Sequence, residues 1–137
     1  MNHTNSENLQ KILDLTKKRI EFFHDIGYTK DRYQWSKTYF DGIIIETEEA
    51  AQENKSNNHI YLEDELGDIF WNFCCLLSSL EREGKISARD AVFHRAYEKF
   101  IQRVGDDGCG GHEWEQVKAE QKINRKKEHE QFYNTHP

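Results

Sequence analysis

Residues 62–82 read LEDELGDIFWNFCCLLSSLER, an acidic segment followed by a long apolar one. The apolar side chains recur every three or four positions, as on a helix, at Leu62, Leu66, Ile69, Phe70, Phe73, Leu76, Leu77 and Leu80. The uncharged run from Ile69 to Leu80 has twelve residues, whereas a helix needs about 20 to cross a bilayer. We therefore predict a helix buried in a core. Because apolar residues including Trp71 lie on most of its sides, we expect a second subunit to cover one face.

Four further helices are predicted around this one, and the single proline is the last residue of the chain. Gly27 and Gly84 end two of the helices, Asn57 or Asn58 caps the central one, and Ser87 caps the next. The predicted helices span about residues 6–26, 30 or 33 to 53, 58–82, 87–104 and 113–132. The sequence therefore predicts an all-α protein, with a four-helix-bundle-type core and an additional C-terminal helix. We expect residues 1–137 to form a single domain.

Composition and cysteine usage restrict the classes of function. The net charge of -6 argues against a broad basic surface for nucleic acid, but a few local cations could still hold a small anion. The polar N-terminus MNHTNSENLQ predicts no secretory signal. Three cysteines without framework spacing indicate a reducing compartment, and we expect a cytoplasmic protein. Cys74 and Cys75 are predicted to be buried, and Cys109 with His112 is a weak zinc signal.

Two pairs of carboxylates flank a polar break centred on Asn57. Glu46 and Glu49 form the first pair and Glu65 and Asp68 the second, each spaced to share one helix face. The pairs are placed symmetrically, since Glu46 and Asp68 are each eleven residues from Asn57. If two antiparallel helices meet at the break, these side chains form a box of four carboxylates. Their mutual repulsion calls for a cation, and oxygen ligands suit Mg²⁺, with Mn²⁺ possible.

A solvent-facing acidic surface is the structural alternative for such residues. We prefer it for Glu48 and Glu53. Acidic residues early in a helix also gain from the helix dipole, which is a structural reason for Glu63, Asp64 and Glu65. Gly67 costs the helix roughly 1 kcal/mol against alanine, so we expect another helix to approach closely there. A di-iron site needs Glu-x-x-His pairs. We do not favour one, because no glutamate of the second to fourth predicted helices is followed three positions later by a histidine. The glycine-rich segment 105–111 lacks the Lys-Ser/Thr ending of a P-loop and follows a helix rather than a strand. We therefore reject a P-loop at this position.

Two cationic pairs follow in the C-terminal half of the chain. Lys99 and Arg103 are four residues apart on one predicted helix, and Trp114 and Lys118 on the next. Each pair could be an ordinary amphipathic surface. Together with a metal site they suggest a polyphosphate ligand, whose oxygens the cations would neutralise and whose base or sugar the aromatic ring could contact.

These segments, in this order, resemble the MazG-type nucleoside triphosphate pyrophosphohydrolases over about residues 33–122. The family pattern of EExxE, a spacer and ExxD is matched by IETEE at 45–49 and ELGD at 65–68, followed by YEKFIQR at 97–103 and EWEQVKAE at 113–120. The chain departs from the pattern at Ile45, which replaces the first glutamate, and at Tyr61, where some members carry a lysine.

The resemblance implies a Mg²⁺-dependent, dimeric enzyme that converts a (deoxy)nucleoside triphosphate into the monophosphate and pyrophosphate. It implies metal-binding and catalytic roles for Glu46, Glu49, Glu65 and Asp68. It implies substrate-binding roles for Lys99, Arg103, Trp114 and Lys118.

Three other functions stay open at the level of the sequence. Two are related all-α enzymes, a dimeric dUTPase and a phosphoribosyl-ATP pyrophosphohydrolase, and the third is a non-catalytic helical oligomerisation module. The element from Trp114 to Lys118 favours the MazG type over the two related enzymes.

Overall fold

The computed structural model describes residues 4–27, 34–110 and 113–136, and these form five α-helices. The helices are α1 (Asn5–Asp25), α2 (Ser36–Gln52), α3 (His59–Arg82), α4 (Arg89–Val104) and α5 (Trp114–Thr135). No strand occurs among the described residues, so the predicted all-α class is confirmed. The chain divides into two compact units, Met1–Arg89 and Asp90–Pro137. Among the described residues no helix is both long and apolar enough to span a membrane.

Helix α3 is the centre of the first unit and packs against both α1 and α2. Its run Cys74–Ser79 is buried, as the uncharged sequence predicted. The core contains one buried residue from each flanking helix and two from α3, namely Ile20, Tyr39, Cys75 and Leu76. Partly buried apolar side chains pack against these four, namely Phe23, Ile43, Trp71 and Leu80. Burial raises the pKa of the Cys75 thiol to about 12, so this cysteine is an unreactive core residue.

The turn between α2 and α3 lies where the polar break predicted it. Asn57 adopts a left-handed conformation with φ 58°, and Asn58 occupies the N-cap position of α3. The Asn58 side chain does not cap the helix but donates to the carbonyl and the carboxylate of Glu53. The prediction that Glu53 faces solvent was therefore wrong, because its half-buried carboxylate closes this turn.

Two of the other helix ends differ from the predictions. Helix α4 begins at Arg89 rather than just after Ser87, because the Arg89 backbone N–H donates to the Glu81 carboxylate at 2.7 Å. The Arg89 guanidinium also donates to the Leu13 carbonyl at 2.6 Å and so attaches this position to α1. Helix α5 continues to Thr135, beyond the predicted end at Phe132. The predicted starts of α2 at residue 30 or 33 lie outside the described residues.

Candidate metal centre

The register of α2 against α3 follows the symmetry predicted about Asn57. Gly42 and Asn72 are equally distant from Asn57, and a Cβ atom added to Gly42 would lie 2.5 Å from the Asn72 Oδ1 atom. One turn further out, Tyr39 forms a side-chain hydrogen bond with the Cys75 thiol. The two helices therefore approach closely at Gly42. The approach expected at Gly67 is not present in the described residues, since a Cβ there would meet nothing within 4 Å.

This register brings the predicted carboxylates together in two overlapping groups. Oxygen atoms of Glu46, Glu49 and Glu65 lie within 4.8 Å of one another, and so do oxygen atoms of Asp64, Glu65 and Asp68. Glu65 belongs to both groups, so Asp68 joins the others through it. Sequence reasoning missed Asp64, which it assigned to the helix dipole. The available signal was its spacing of four residues from Asp68, which places both on one side of α3.

The electrostatics of the two half-buried glutamates reflect this crowding. Partial burial raises the pKa of the Glu46 carboxyl, and the hydrogen bond and charge of Glu49 and the charges of Asp68 and Glu65 raise it further. Partial burial also raises the pKa of the Glu65 carboxyl, followed by the charges of Glu49 and Asp68. In each case the anionic form is destabilised by neighbours of the same sign.

The donor atoms fit a hard divalent cation. The Oε2 atoms of Glu46 and Glu65 are buried and have no hydrogen-bond partner among the described residues. An unsatisfied buried oxygen is costly unless something binds it. Every donor in the two groups is a carboxylate oxygen, the ligand type that Mg²⁺, Ca²⁺ and Mn²⁺ prefer. The cluster is therefore compatible with a divalent metal ion.

The predicted substrate-binding residues lie in the second unit, on α4 and α5. Arg103 is buried at 8% exposure, and its guanidinium lies 5.3 Å from the centre of the Trp114 ring. Lys99 lines a cavity of about 610 Å³ between α4 and α5. Lys118 is exposed on α5 and is not among the residues that line this cavity. The structure thus brings Arg103 and Trp114 into contact.

Sequence reasoning missed Gln121, which accepts a hydrogen bond from Arg103 Nε at 2.9 Å. A lone glutamine in a polar helix carries no pattern that could have indicated it. The two departures from the family pattern are both solvent-exposed, with Ile45 at 53% and Tyr61 at 68% exposure. Neither belongs to the carboxylate groups.

The clustered carboxylates are compatible with metal-ion chemistry on phosphates. The model of the MazG nucleotide pyrophosphohydrolase domain matches residues 34–106, more than half of the chain. The chain therefore belongs to the MazG nucleotide pyrophosphohydrolase family and is a hydrolase acting on nucleotide phosphoanhydride bonds. No curated protein and no solved structure matches it.

Proposed function

We propose that this protein is a Mg²⁺-dependent enzyme that hydrolyses (deoxy)nucleoside triphosphates to the monophosphate and pyrophosphate. Mn²⁺ is the second candidate ion, since it shares the preference for oxygen ligands. The observation that supports the proposal most directly is the convergence of Glu46, Glu49 and Glu65. Within the part of the chain that the structure describes, buried oxygens of Glu46 and Glu65 lack hydrogen-bond partners. Carboxylates this close together repel one another, and a bound cation would relieve that repulsion.

In this proposal Glu46, Glu49, Glu65 and Asp68 hold the metal and form the catalytic centre. A bound divalent cation would neutralise charge on the phosphate oxygens and polarise the phosphorus under attack. The Gly42–Asn72 contact keeps α2 and α3 close enough for ligands from both helices to converge. A carboxylate of the cluster would accept the proton of the attacking water, since general bases of this kind act within hydrogen-bond reach.

The second unit supplies the residues proposed to bind substrate. Lys99, Arg103 and Lys118 would neutralise phosphate oxygens through charge-assisted hydrogen bonds. Trp114 would contact the nucleoside and help to close the site. Positive charges suit this role because the phosphate groups of a nucleoside triphosphate are anionic.

The proposal extends to organisation and location. We expect residues 1–137 to act as one MazG-like domain that forms a homodimer or a higher homo-oligomer, with no nucleic acid polymer and no membrane as partner. The three free cysteines fit the cytoplasm, where thiols stay reduced. Related all-α activities on dUTP or phosphoribosyl-ATP remain the alternatives, and a panel of nucleotides assayed with Mg²⁺ separates them.

Substitution of one ligand tests the proposal as a whole. Purified protein is assayed for pyrophosphate release from each nucleotide with and without Mg²⁺. The substitution Glu65→Gln should lower the Mg²⁺-dependent turnover by about a hundredfold or more. Glu48→Gln is the matched control, because Glu48 is exposed on α2 and lies outside both carboxylate groups. Unchanged turnover in Glu65→Gln and Asp68→Ala, with helix content intact by circular dichroism, would refute the site assignment.

A further inference from the structure

The carboxamide of Gln121, on α5, forms hydrogen bonds with three groups of α4. Its Oε1 atom accepts from Arg103 Nε at 2.9 Å, and its Nε2 atom donates to the Lys99 carbonyl at 3.0 Å and to Gln102 Oε1 at 2.8 Å. The side chain is 9% exposed, although α5 is otherwise a largely exposed, polar helix. A buried glutamine with both donors and its acceptor occupied is fixed in one orientation.

The partner of Gln121 is restrained from other directions as well. The Arg103 guanidinium lies 5.5 Å from the centre of the Phe100 ring and 5.3 Å from that of Trp114. Arginine has five N–H donors, and in the described part of the chain Arg103 uses one of them, at Nε. The Nη donors of an arginine can bind a phosphate through two parallel hydrogen bonds.

We propose that Gln121 is a positioning residue that orients Arg103 for binding the substrate's phosphate groups. The proposal rests on the proposed function, in which Arg103 contacts those phosphates. A free arginine side chain loses much rotamer freedom when it binds an anion. The Arg103 side chain would already be ordered by folding, so anion binding would cost it less conformational entropy. A neutral amide is suited to the task because a carboxylate at the same place would neutralise the guanidinium.

Two substitutions separate orientation from charge. Gln121→Met keeps the length of the side chain but removes its hydrogen bonds, and we expect KM for the best nucleotide of the panel to rise roughly 3- to 10-fold while kcat changes little. Gln121→Glu keeps the acceptor for Arg103 Nε but adds a negative charge, so its KM should rise further, most strongly at low ionic strength. Affinity for inorganic pyrophosphate with Mg²⁺, measured by calorimetry, should weaken in the same order.

Two control variants exclude a general loss of structure. Gln131→Met alters an exposed glutamine of the same helix and should leave KM unchanged. Gln102→Met removes another member of the hydrogen-bond network without touching the Gln121–Arg103 bond, so it should raise KM far less than Gln121→Met. Equal effects of Gln102→Met and Gln121→Met, or unchanged KM and pyrophosphate affinity in both Gln121 variants, would overturn the inference.

The outcomes also distinguish this inference from the proposed function. If Arg103→Ala leaves KM unaltered while Glu65→Gln abolishes turnover, the role of Gln121 is refuted and the carboxylate site stands. If no nucleotide is hydrolysed, the proposed reaction fails, and the pyrophosphate titration still decides whether Gln121 supports anion binding.

Discussion

Glu46 and Glu65 each have a raised carboxyl pKa and a buried oxygen that finds no hydrogen-bond partner in residues 4–27, 34–110 and 113–136. A raised pKa in the folded state means that, at pH values just above the ordinary carboxyl range, the folded protein binds more protons than the unfolded chain. The free energy of unfolding of the cation-free protein therefore falls as pH rises through that window. A cation that enters the cluster should reverse this loss.

The substitution Glu46→Gln tests this balance at a single residue. Removing one charge should raise the melting temperature of the cation-free protein at pH 7, because repulsion from Glu49, Asp68 and Glu65 is relieved. The same change should remove most of the stabilisation by Mg²⁺, because one ligand is lost. Thermal unfolding with and without Mg²⁺ measures both effects.

Glu48→Gln provides the control, since it removes a charge from an exposed position of α2. In the unsubstituted protein, stabilisation by Mg²⁺ should weaken as pH falls from 7 towards 5, because protons compete for carboxyls whose pKa is raised. A Glu46→Gln protein that keeps its full response to Mg²⁺ would show that Glu46 is not a ligand.

At the scale of elements, the spacing between α2 and α3 depends on the contact of Gly42 with Asn72. A Cβ atom at position 42 would lie 2.5 Å from Asn72 Oδ1, and the Asn72 amide is held by its hydrogen bond to the Asp68 carbonyl at 2.9 Å. A methyl group there must displace either the amide or a helix, next to two of the proposed ligands.

We predict that Gly42→Ala lowers turnover about tenfold or more, because ligands on α2 and α3 move apart by a fraction of an ångström. Alanine normally stabilises a helix interior by about 0.5–1 kcal/mol over glycine, so a neutral or negative effect on stability would reveal the clash. Chemical denaturation and pyrophosphate release measure the two quantities. The double variant Gly42→Ala/Asn72→Ala should recover activity, and failure to do so would contradict the explanation.

A second connection between elements joins the start of α2 to the end of α3. The Ser36 backbone N–H donates to the Glu83 carboxylate at 3.0 Å, across 47 residues of sequence. Burial alone would raise the pKa of the Glu83 carboxyl, but hydrogen bonds from Ser36 and Lys85 outweigh it and the pKa is lowered from its ordinary 4.5. The carboxylate thus satisfies a backbone donor at the N-terminus of α2.

We predict that Glu83→Ala reduces the free energy of unfolding by about 1 kcal/mol at pH 7, as for the loss of an N-cap. Because the pKa is lowered in the folded state, this contribution is complete above pH 4.5 and is lost as pH falls through the folded pKa. Urea denaturation at pH 7 and near pH 3 should show the difference between the two proteins shrinking. A difference that stays constant with pH would exclude the charge as its source.

For the whole molecule, the exposed apolar side chains bear on assembly. Phe93 and Tyr97 follow one face of α4 with exposures of 39% and 64%, and Ile44 of α2 is 59% exposed. Large apolar side chains exposed in rows favour burial against another subunit.

We predict a homodimer, seen in light scattering as a mass near twice the 16.3 kDa of one chain. The double variant Phe93→Glu/Tyr97→Glu should shift the mass towards that of a single chain, because charged residues are unfavourable in the core of an interface. His94→Glu, an exposed change on the same helix, is the control. A mass of one chain for the unsubstituted protein would refute the predicted dimer.

Much of the first unit could be predicted from the sequence because its contacts are local or follow from a short connection. A brief polar turn between two helices determines which residues lie level. The proximity of Glu49 and Glu65 was therefore predictable, and the Gly42–Asn72 contact obeys the same symmetry about Asn57. Glu46 and Asp68, which were predicted to lie level, belong to two different groups that share Glu65. The burial of Cys74 and Cys75 followed from an uncharged run too long for a surface.

Other contacts depended on tertiary packing. The bonds of Ser36 to Glu83, Arg89 to Leu13 and Arg103 to Gln121 join residues 47, 76 and 18 positions apart. No periodicity marks such partners, because a polar side chain can satisfy many donors and the packing of the helices selects one. Helical spacing along the chain was thus sufficient for the elements and the carboxylate register, whereas the hydrogen bonds that orient individual side chains arise when distant segments meet and exclude water.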